Sequence, residues 1–516
     1  MKPLPSGRRS PRLLLTPTPF SAKLPLIITP PRSPLVYIPQ STRDLIAHMK
    51  SDPNCVIKPG TSSQHEVVLA RAPGRLDVMG GIADYTGSLV CEMPLDVSTA
   101  VAVQRRDDRK VFLESYNVTT QSGGGATGGG WKVEFSLDDL YGTAALLPLD
   151  TIRAFFSGDR RWAAYVAGAY WVLGRHRKLN RRTSGANIVC HSNVPLGGGV
   201  SSSAALEVAA LSAITTAYHL ILDPLETAVL AQLVENQIVG APCGVMDQVT
   251  SMMGRKGKLL LLKCQPHEVQ GFVDIPPGLT VCGINSNVKH SVGGSSYRNT
   301  RVAAFMAHAL IARAYQDLGV KADPTKGYLA NITPELYRKY FRPILPKTML
   351  GRDFLKTYTS IDRVTTVDPA TRYTVRAAAD HHILENARVH QFTDMLDQAS
   401  TGSPEALLRA GRLMLASHCS YGRRAMLGSR ETDLLVTALH NRGPRHGVYG
   451  AKITGGGSGG TVAVLCQDTD QTRTALHEIC ANYHKQTGLT PQLLLGSSEG
   501  AAETGPLRMS VSEIFA

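Results

Sequence analysis

Apolar residues recur along this chain with two periods, and the two alternate in blocks. Residues 162–174, 203–220, 225–239, 373–392 and 405–418 repeat apolar positions every three or four residues, which predicts helices with one buried face. KLLLLK at 258–263 and LTVCGINS at 279–286 are short apolar runs between turn residues, the pattern of buried strands. EVVLARAPGRLDVMGG, from Glu66 to Gly81, predicts a strand running into a turn, and 448–466 predicts strand, glycine turn, strand. A short helix through Leu45 and His48 opens the folded sequence near Ser41. SGGGATGGG at 122–130 predicts a flexible loop between two strand-like segments, because glycine runs are costly to order. No internal repeat is present. Strands and helices mixed in this way imply an α+β protein, and the length suits two lobes.

Charge changes the picture at one end only. The chain has 516 residues and a net charge of +14. Residues 1–43 hold seven Lys or Arg, ten Pro and no Asp or Glu. Such a stretch neither forms helix nor buries a core, so 1–43 is expected to be a disordered tail. The modest excess beyond it suits a protein that binds polyanionic nucleotides. There is no basic helix, zinc spacing or interleaving of basic and aromatic residues, so nucleic acid is not an expected partner. Nine cysteines, none in a Cys-x-x-Cys pair, argue against a zinc module or disulfide framework and for reduced thiols in a cytoplasmic setting. No apolar run reaches the roughly 18 residues that span a bilayer. Neither a membrane nor a protein partner is expected.

Pro195-Leu-Gly-Gly-Gly-Val-Ser-Ser-Ser-Ala204 carries the most chemistry. Gly197, Gly198 and Gly199 let backbone approach a ligand. Ser201, Ser202 and Ser203 precede a helix-forming stretch. Free amides and the positive end of a helix would converge there, making an anion site. A capped helix alone explains one serine, not three glycines and three serines together. No Walker-type Gly-x4-Gly-Lys-Ser/Thr occurs. The run Gly455 to Gly460 contains Gly-x-Gly-x-x-Gly but leads into a strand, not a helix, which argues against a dinucleotide fingerprint. It is expected to be a tight turn that lets a neighbouring loop or substrate approach.

Arg71-Ala-Pro-Gly-Arg75, Pro195 to Ala204, and Lys452-Ile-Thr-Gly-Gly-Gly-Ser-Gly-Gly460 resemble, in order, the three motifs of the GHMP kinase superfamily. Asp84-Tyr85, Gly240 to Gln248, and Asn285 through Tyr297 narrow the resemblance to the galactokinase branch. The resemblance covers roughly residues 65–465. It implies a ribosomal S5-like N-terminal lobe, here 44–275, a ferredoxin-like C-terminal lobe, here 276–516, and an active site in the cleft between them. It implies ATP and Mg2+ and phosphorylation of a monosaccharide at its anomeric hydroxyl. Asp247 matches the residue beside the reacting hydroxyl, and Arg75 the arginine that pairs with it and with phosphate. Gly197 to Gly199 and Ser201 to Ser203 match the ATP loop. Ser203 and Glu235 match magnesium ligands, and Asp84 and Tyr297 match sugar contacts. Cys243, His381 and His382 read as packing residues.

One departure bears on the substrate. Galactokinases carry Gly-Glu-His-Thr-Asp-Tyr where this chain has Gly80-Gly81-Ile82-Ala83-Asp84-Tyr85. Their Glu and His face the exocyclic hydroxymethyl of the sugar. Gly81 and Ile82 offer that hydroxyl no side-chain partner, at a cost of roughly 1–3 kcal/mol. L-arabinopyranose lacks the group, and the same segments resemble the kinase portion of plant-type arabinokinases. L-arabinose is therefore the expected substrate. D-galactose, or a silent sugar and ATP sensor, is the alternative. Asp84-Tyr85 and the Asn285 to Tyr297 stretch argue against a mevalonate-type acceptor.

Overall fold

Proline at position 73 sets the frame of the molecule. The computed structural model describes residues 38–116, 131–142, 145–288, 295–320 and 323–516. Strand β1 (Glu66–Met79) runs antiparallel to β2 (Leu89–Arg105), and the register slips between Pro73 and Arg75 and again between Asp77 and Met79. Proline has no N–H for the ladder, and the resulting bulge re-aims the residues that follow it. β2 continues to β5 (Ala186–Ser192), after β3 (Lys110–Ser115) and β4 (Trp131–Ser136) in chain order. With β14 (Leu507–Ser510) at one edge, the sheet order is β14-β1-β2-β5-β3-β4, with β6 (Lys258–Lys263) on β2 and β7 (Glu268–Asp274) on β6. A second, antiparallel sheet joins β8 (Leu279–Asn285), β11 (Val448–Ile453), β12 (Thr461–Gln467) and β13 (Gln492–Leu494), in the order β11-β12-β8-β13. β9 (Met349–Leu350) and β10 (Arg372–Tyr373) form a two-residue pair.

The helices are α1 (Gln40–Ser51), α2 (Leu149–Phe155), α3 (Ala164–Arg175), α4 (Ser202–Ala217), α5 (Pro224–Leu233), α6 (Met246–Met253) and α7 (Ser295–Asp317). Three single turns follow: α8 (Pro334–Leu336), α9 (Arg342–Ile344) and α10 (Gly351–Leu355). Then come α11 (Val375–Ser400), α12 (Pro404–Arg423), α13 (Arg430–Arg442), α14 (Asp470–Thr487), α15 (Ala501–Thr504) and α16 (Val511–Phe515). α4 is buried nearly all round, as its even coat of Ala, Leu, Val and Ile requires. It packs with α3, α5 and α6 against the first sheet through Tyr170, Val208, Leu211, Val249, Val101 and Ile188. Leu76, Met93, Val281, Phe392, Met414 and Leu465 join the two sheets to α11 and α12.

The predicted strands at 258–263 and 279–286 stand as β6 and β8, and the five predicted helices are present. The one at 373–392 runs on to Ser400, since Asp394, Asp397 and Gln398 continue it on the solvent side. The one at 225–239 ends in a π-helical turn, Val234–Val239. The helix expected near Ser41 begins at Gln40, inside the span assigned to the tail. The loop expected at 122–130 and most of the tail lie outside the described residues. The last turn of chain, counted with the second lobe by sequence order, returns to the first sheet. β14 pairs with β1, and Val511 and Ile514 pack with Leu45, Met49 and Val67. No helix among the described residues is long and apolar enough to cross a membrane.

Candidate active site

Arg75 follows the first bulge of β1, and its side chain is 3% exposed. Its guanidinium donates to Asp247 Oδ1 at 2.9 Å from Nε and approaches it at 2.7 Å through a terminal nitrogen. The other terminal nitrogen donates to the Gly199 carbonyl at 2.9 Å. Glu92 lies 3.3 Å away on β2. Two carboxylates beside the guanidinium raise its pKa, against the desolvation that opposes its charge. Asp247 stands in the first turn of α6. Its second oxygen accepts the Ser201 hydroxyl at 2.6 Å. A carboxylate is thus held on both oxygens, by a buried cation and by the loop that opens α4.

Ser201, expected in the ATP loop and as one of three candidate helix caps, stands at the N-cap position of α4, where its hydroxyl donates to Asp247 and makes no side-chain cap bond. Its φ of 59° is a conformation that a non-glycine residue adopts only when its surroundings fix it. With no side-chain cap bond from Ser201, the first amides of α4 and the positive helix end follow directly on the loop of Gly197, Gly198 and Gly199. The glycine turn between β11 and β12 packs on that loop. Thr461 Oγ1 donates to the Gly198 carbonyl at 2.7 Å. A Cβ on Gly455, where φ is +62°, would stand 2.5 Å from the Gly199 oxygen. The expected close approach is therefore between two glycine loops.

Glu235 comes from the π-helical turn and is 4% exposed. Gln248 Nε2 bridges it at 2.8 Å to Glu207 at 3.1 Å, and the nearby Ser203 side chain favours the charged form of Glu235. Burial and the Asp247 charge push Glu235 up to about 7. Burial and Glu235 push Glu207 up as well. Glu207 Oε1 is buried without a hydrogen-bond partner. Two carboxyls and a hydroxyl beside the glycine-serine loop are the hard oxygen donors that Mg2+ prefers, so these residues fit the ion.

Asp84 lies in the short 3₁₀ turn Gly81–Thr86. It is 5% exposed, rests against Gly244, and accepts the Tyr85 N–H at 2.8 Å. Burial, then Asp247, push it up to about 7. Tyr297 is buried edge-on to Tyr85, with ring centres 6.1 Å apart. Arg301, one helical turn beyond it, lies over the Tyr85 ring, pairs with Asp362 and reaches the Pro242 carbonyl. Ile82 is buried among Tyr297, Tyr421 and Ile453.

Cys243 is buried, and its thiol pKa is pushed well up, which suits packing. His381 and His382 are buried, with pKa values held well down by desolvation. His381 meets Ser420, and His382 meets Tyr85 and Thr86. No group of three or more His, Cys, Asp or Glu that could hold a metal occurs among the described residues. Glu92, Glu207, Arg301 and Tyr421 stand here without having been expected from the sequence, and Gln248 was noted only as the end of its motif. Glu207 had a usable signal, one turn after Ser203 on the same helix face.

Residues 60–105 match the galactokinase galactose-binding signature, 164–255 the GHMP kinases N terminal domain, and 405–485 the GHMP kinases C terminal domain. The chain is 39% identical over 492 residues to an L-arabinokinase of Arabidopsis thaliana, covering 86% of this chain and 47% of that protein. It thus spans about half the length of that relative. It is 28% identical over 426 residues to a galactokinase of Roseiflexus sp. (strain RS-1), covering 83% of this chain and 90% of the other. The fold is similar to the crystal structure of Lactococcus lactis galactokinase complexed with galactose, at TM-score 0.63 and 21% identity, over 86% of this chain and 95% of that one.

Proposed function

The chain belongs to the GHMP kinases, in their galactokinase branch, and on that premise we propose that it is an ATP-dependent sugar-1-kinase acting on L-arabinose. The observation that carries the reading is Asp247, held between Arg75 and Ser201 at the opening of the glycine-serine loop. A sugar hydroxyl beside that carboxylate would lie next to a γ-phosphate seated on the α4 amides. Phosphoryl transfer asks mainly for alignment and charge stabilisation. The anomeric oxygen forms a bond to the γ-phosphorus as the bond from phosphorus to the β,γ-bridging oxygen breaks. The hydroxyl proton passes to Asp247, and the products are sugar 1-phosphate and ADP. Arg75 orients the carboxylate and lends positive charge near the transferring group. Glu235 and Ser203 would hold Mg2+, with Glu207 and Gln248 behind them. Bound there, the ion supplies charge neutralisation on the phosphates.

L-arabinose is favoured over D-galactose by the wall near Asp84. Gly81 brings no side chain, and Ile82 is buried in an apolar cluster, so neither offers a partner to a hydroxymethyl group. Asp84 and Tyr297 remain for the ring hydroxyls and ring face. The test is ADP release with ATP, Mg2+ and a sugar panel, with product linkage read by phosphorus and proton NMR. The expected result is an arabinose 1-phosphate and a higher kcat/KM for L-arabinose than for D-galactose. Preference for galactose would shift the assignment to galactokinase. Sugar binding without turnover would replace the kinase with a sensor.

A further inference from the structure

Tyr421, on α12, belongs to none of the motifs above. Its side chain is fully buried. Its hydroxyl accepts the Ile82 N–H at 3.0 Å and donates to the Gly455 carbonyl at 2.9 Å. One phenol thus ties the turn after β1 to the glycine turn between β11 and β12. A Cβ on Gly81 would stand 2.5 Å from Tyr421 Cζ and closer still to the hydroxyl oxygen. Gly81 also has φ of +48°, which disfavours a side chain independently. Residue 81 and Tyr421 therefore compete for one volume, and here the phenol holds it.

We infer that Tyr421 is a specificity-determining residue, whose ring fills the end of the sugar pocket beside Gly81 and selects a pentopyranose over a hexopyranose. The inference rests on the sugar-kinase reading. Tyr421 shares its apolar cluster with Ile82 and Tyr297, and Tyr297 stands edge-on to Tyr85, the chain neighbour of Asp84, with ring centres 6.1 Å apart. The phenol is thus part of the wall continuous with the residues proposed to meet the sugar. Its hydroxyl already accepts from one backbone group and donates to another, so it has no proton left to offer. A hydroxymethyl group arriving there would need both the space of the ring and a partner that the wall does not supply. Gly81 is the small half of this arrangement and Tyr421 the large half.

The experiment compares wild type with Tyr421→Phe, Tyr421→Leu, Gly81→Glu and Gly81→Glu/Tyr421→Leu. It measures kcat/KM on L-arabinose and D-galactose, and thermal unfolding without ligands. Tyr421→Phe keeps the ring and should keep the arabinose preference. Tyr421→Leu should reduce that preference by about tenfold or more, the scale on which pocket volume discriminates. Gly81→Glu should unfold at a lower temperature than wild type, and adding Tyr421→Leu should recover part of the loss. A Leu variant with the wild-type sugar ratio overturns the inference. So does a Gly81→Glu single variant as stable as wild type, a readout that stands even if the Leu variant fails to fold. Wild-type turnover of neither sugar refutes the kinase reading instead, and the unfolding comparison still decides whether the two residues share one volume.

Discussion

Asp84→Asn tests the electrostatics of the site most directly. The Asp84 carboxyl is 5% exposed and accepts one backbone N–H, from Tyr85. Arg301 and Arg75 favour its charge, but burial and Asp247 outweigh them and push the pKa from 3.8 to about 7. In the unfolded chain the same acid titrates near 3.8. The folded form thus holds the proton more tightly. The stability this contributes is complete below about pH 4 and is lost as the pH rises through about 7. A gap of about three pKa units corresponds to about 4 kcal/mol, an upper bound for a site that water can relax. Asparagine keeps the shape and the backbone acceptor and stays neutral at every pH. The variant should match wild type near pH 4 and be more stable by about 2–4 kcal/mol near pH 8. Urea unfolding across that range, without nucleotide or sugar, measures the difference. Parallel profiles for the two proteins would refute the reasoning. In the same variant the KM for sugar should rise while that for ATP holds, since ring hydroxyls lose a charged acceptor.

Asp247→Asn should lower kcat by about 10²–10⁴ and leave ATP affinity, read by calorimetry, within a few-fold; a near-normal kcat removes Asp247 from the mechanism. Ser201→Ala removes the 2.6 Å hydrogen bond to Asp247 and should cost about tenfold to a hundredfold in kcat, the scale of a hydrogen bond to a charged group; a change confined to the KM for ATP would return Ser201 to a nucleotide role. Gly455→Ala places a methyl 2.5 Å from the Gly199 carbonyl at a φ of +62°. It should raise the KM for ATP and lower the unfolding temperature, and wild-type values of both would show that the two glycine loops have room to spare.

The elements written in a single period were legible in the sequence. β6, α4 and the β11–turn–β12 hairpin follow from local pattern, because the face each buries lies within its own residues. The glycine-serine loop opening α4 was legible because glycines, serines and a helix start are contiguous. What crosses the chain was not. Ser201 reads as a cap, yet its hydroxyl is taken by a residue 46 positions away. Glu207 reads as one polar residue in an apolar helix, and only Gln248 on α6 shows what it faces. Gly81 reads as a residue that offers a hydroxymethyl group no side-chain partner, and nothing nearby says that Tyr421 already fills the space beside it. The return of β14 to β1 is similar, since a four-residue strand near a chain end carries no mark of its partner.

Asp77 and Lys452 show why these long-range contacts govern the site. Both side chains are fully buried, and they pair at 2.7 Å. Asp77 also accepts the Gly81 N–H at 3.0 Å and the Gly455 N–H at 3.3 Å, and its own N–H donates to Thr454 Oγ1 at 2.8 Å. A buried ion pair is weak support for stability, because desolvation offsets most of its attraction. Its value here lies in position. One carboxylate fixes the turn that carries Asp84 and the turn that packs on the glycine-serine loop, and Lys452 pairs with it at 2.7 Å among the backbone donors. The partners stand 375 residues apart, so the constellation exists only when the first strand and the last glycine turn are both folded and in register. The turn that carries Asp84 and the glycine turn that packs on the loop opening α4 are then referred to one buried point, beside which α6 brings the Asp247 carboxylate to Ser201 at the start of α4.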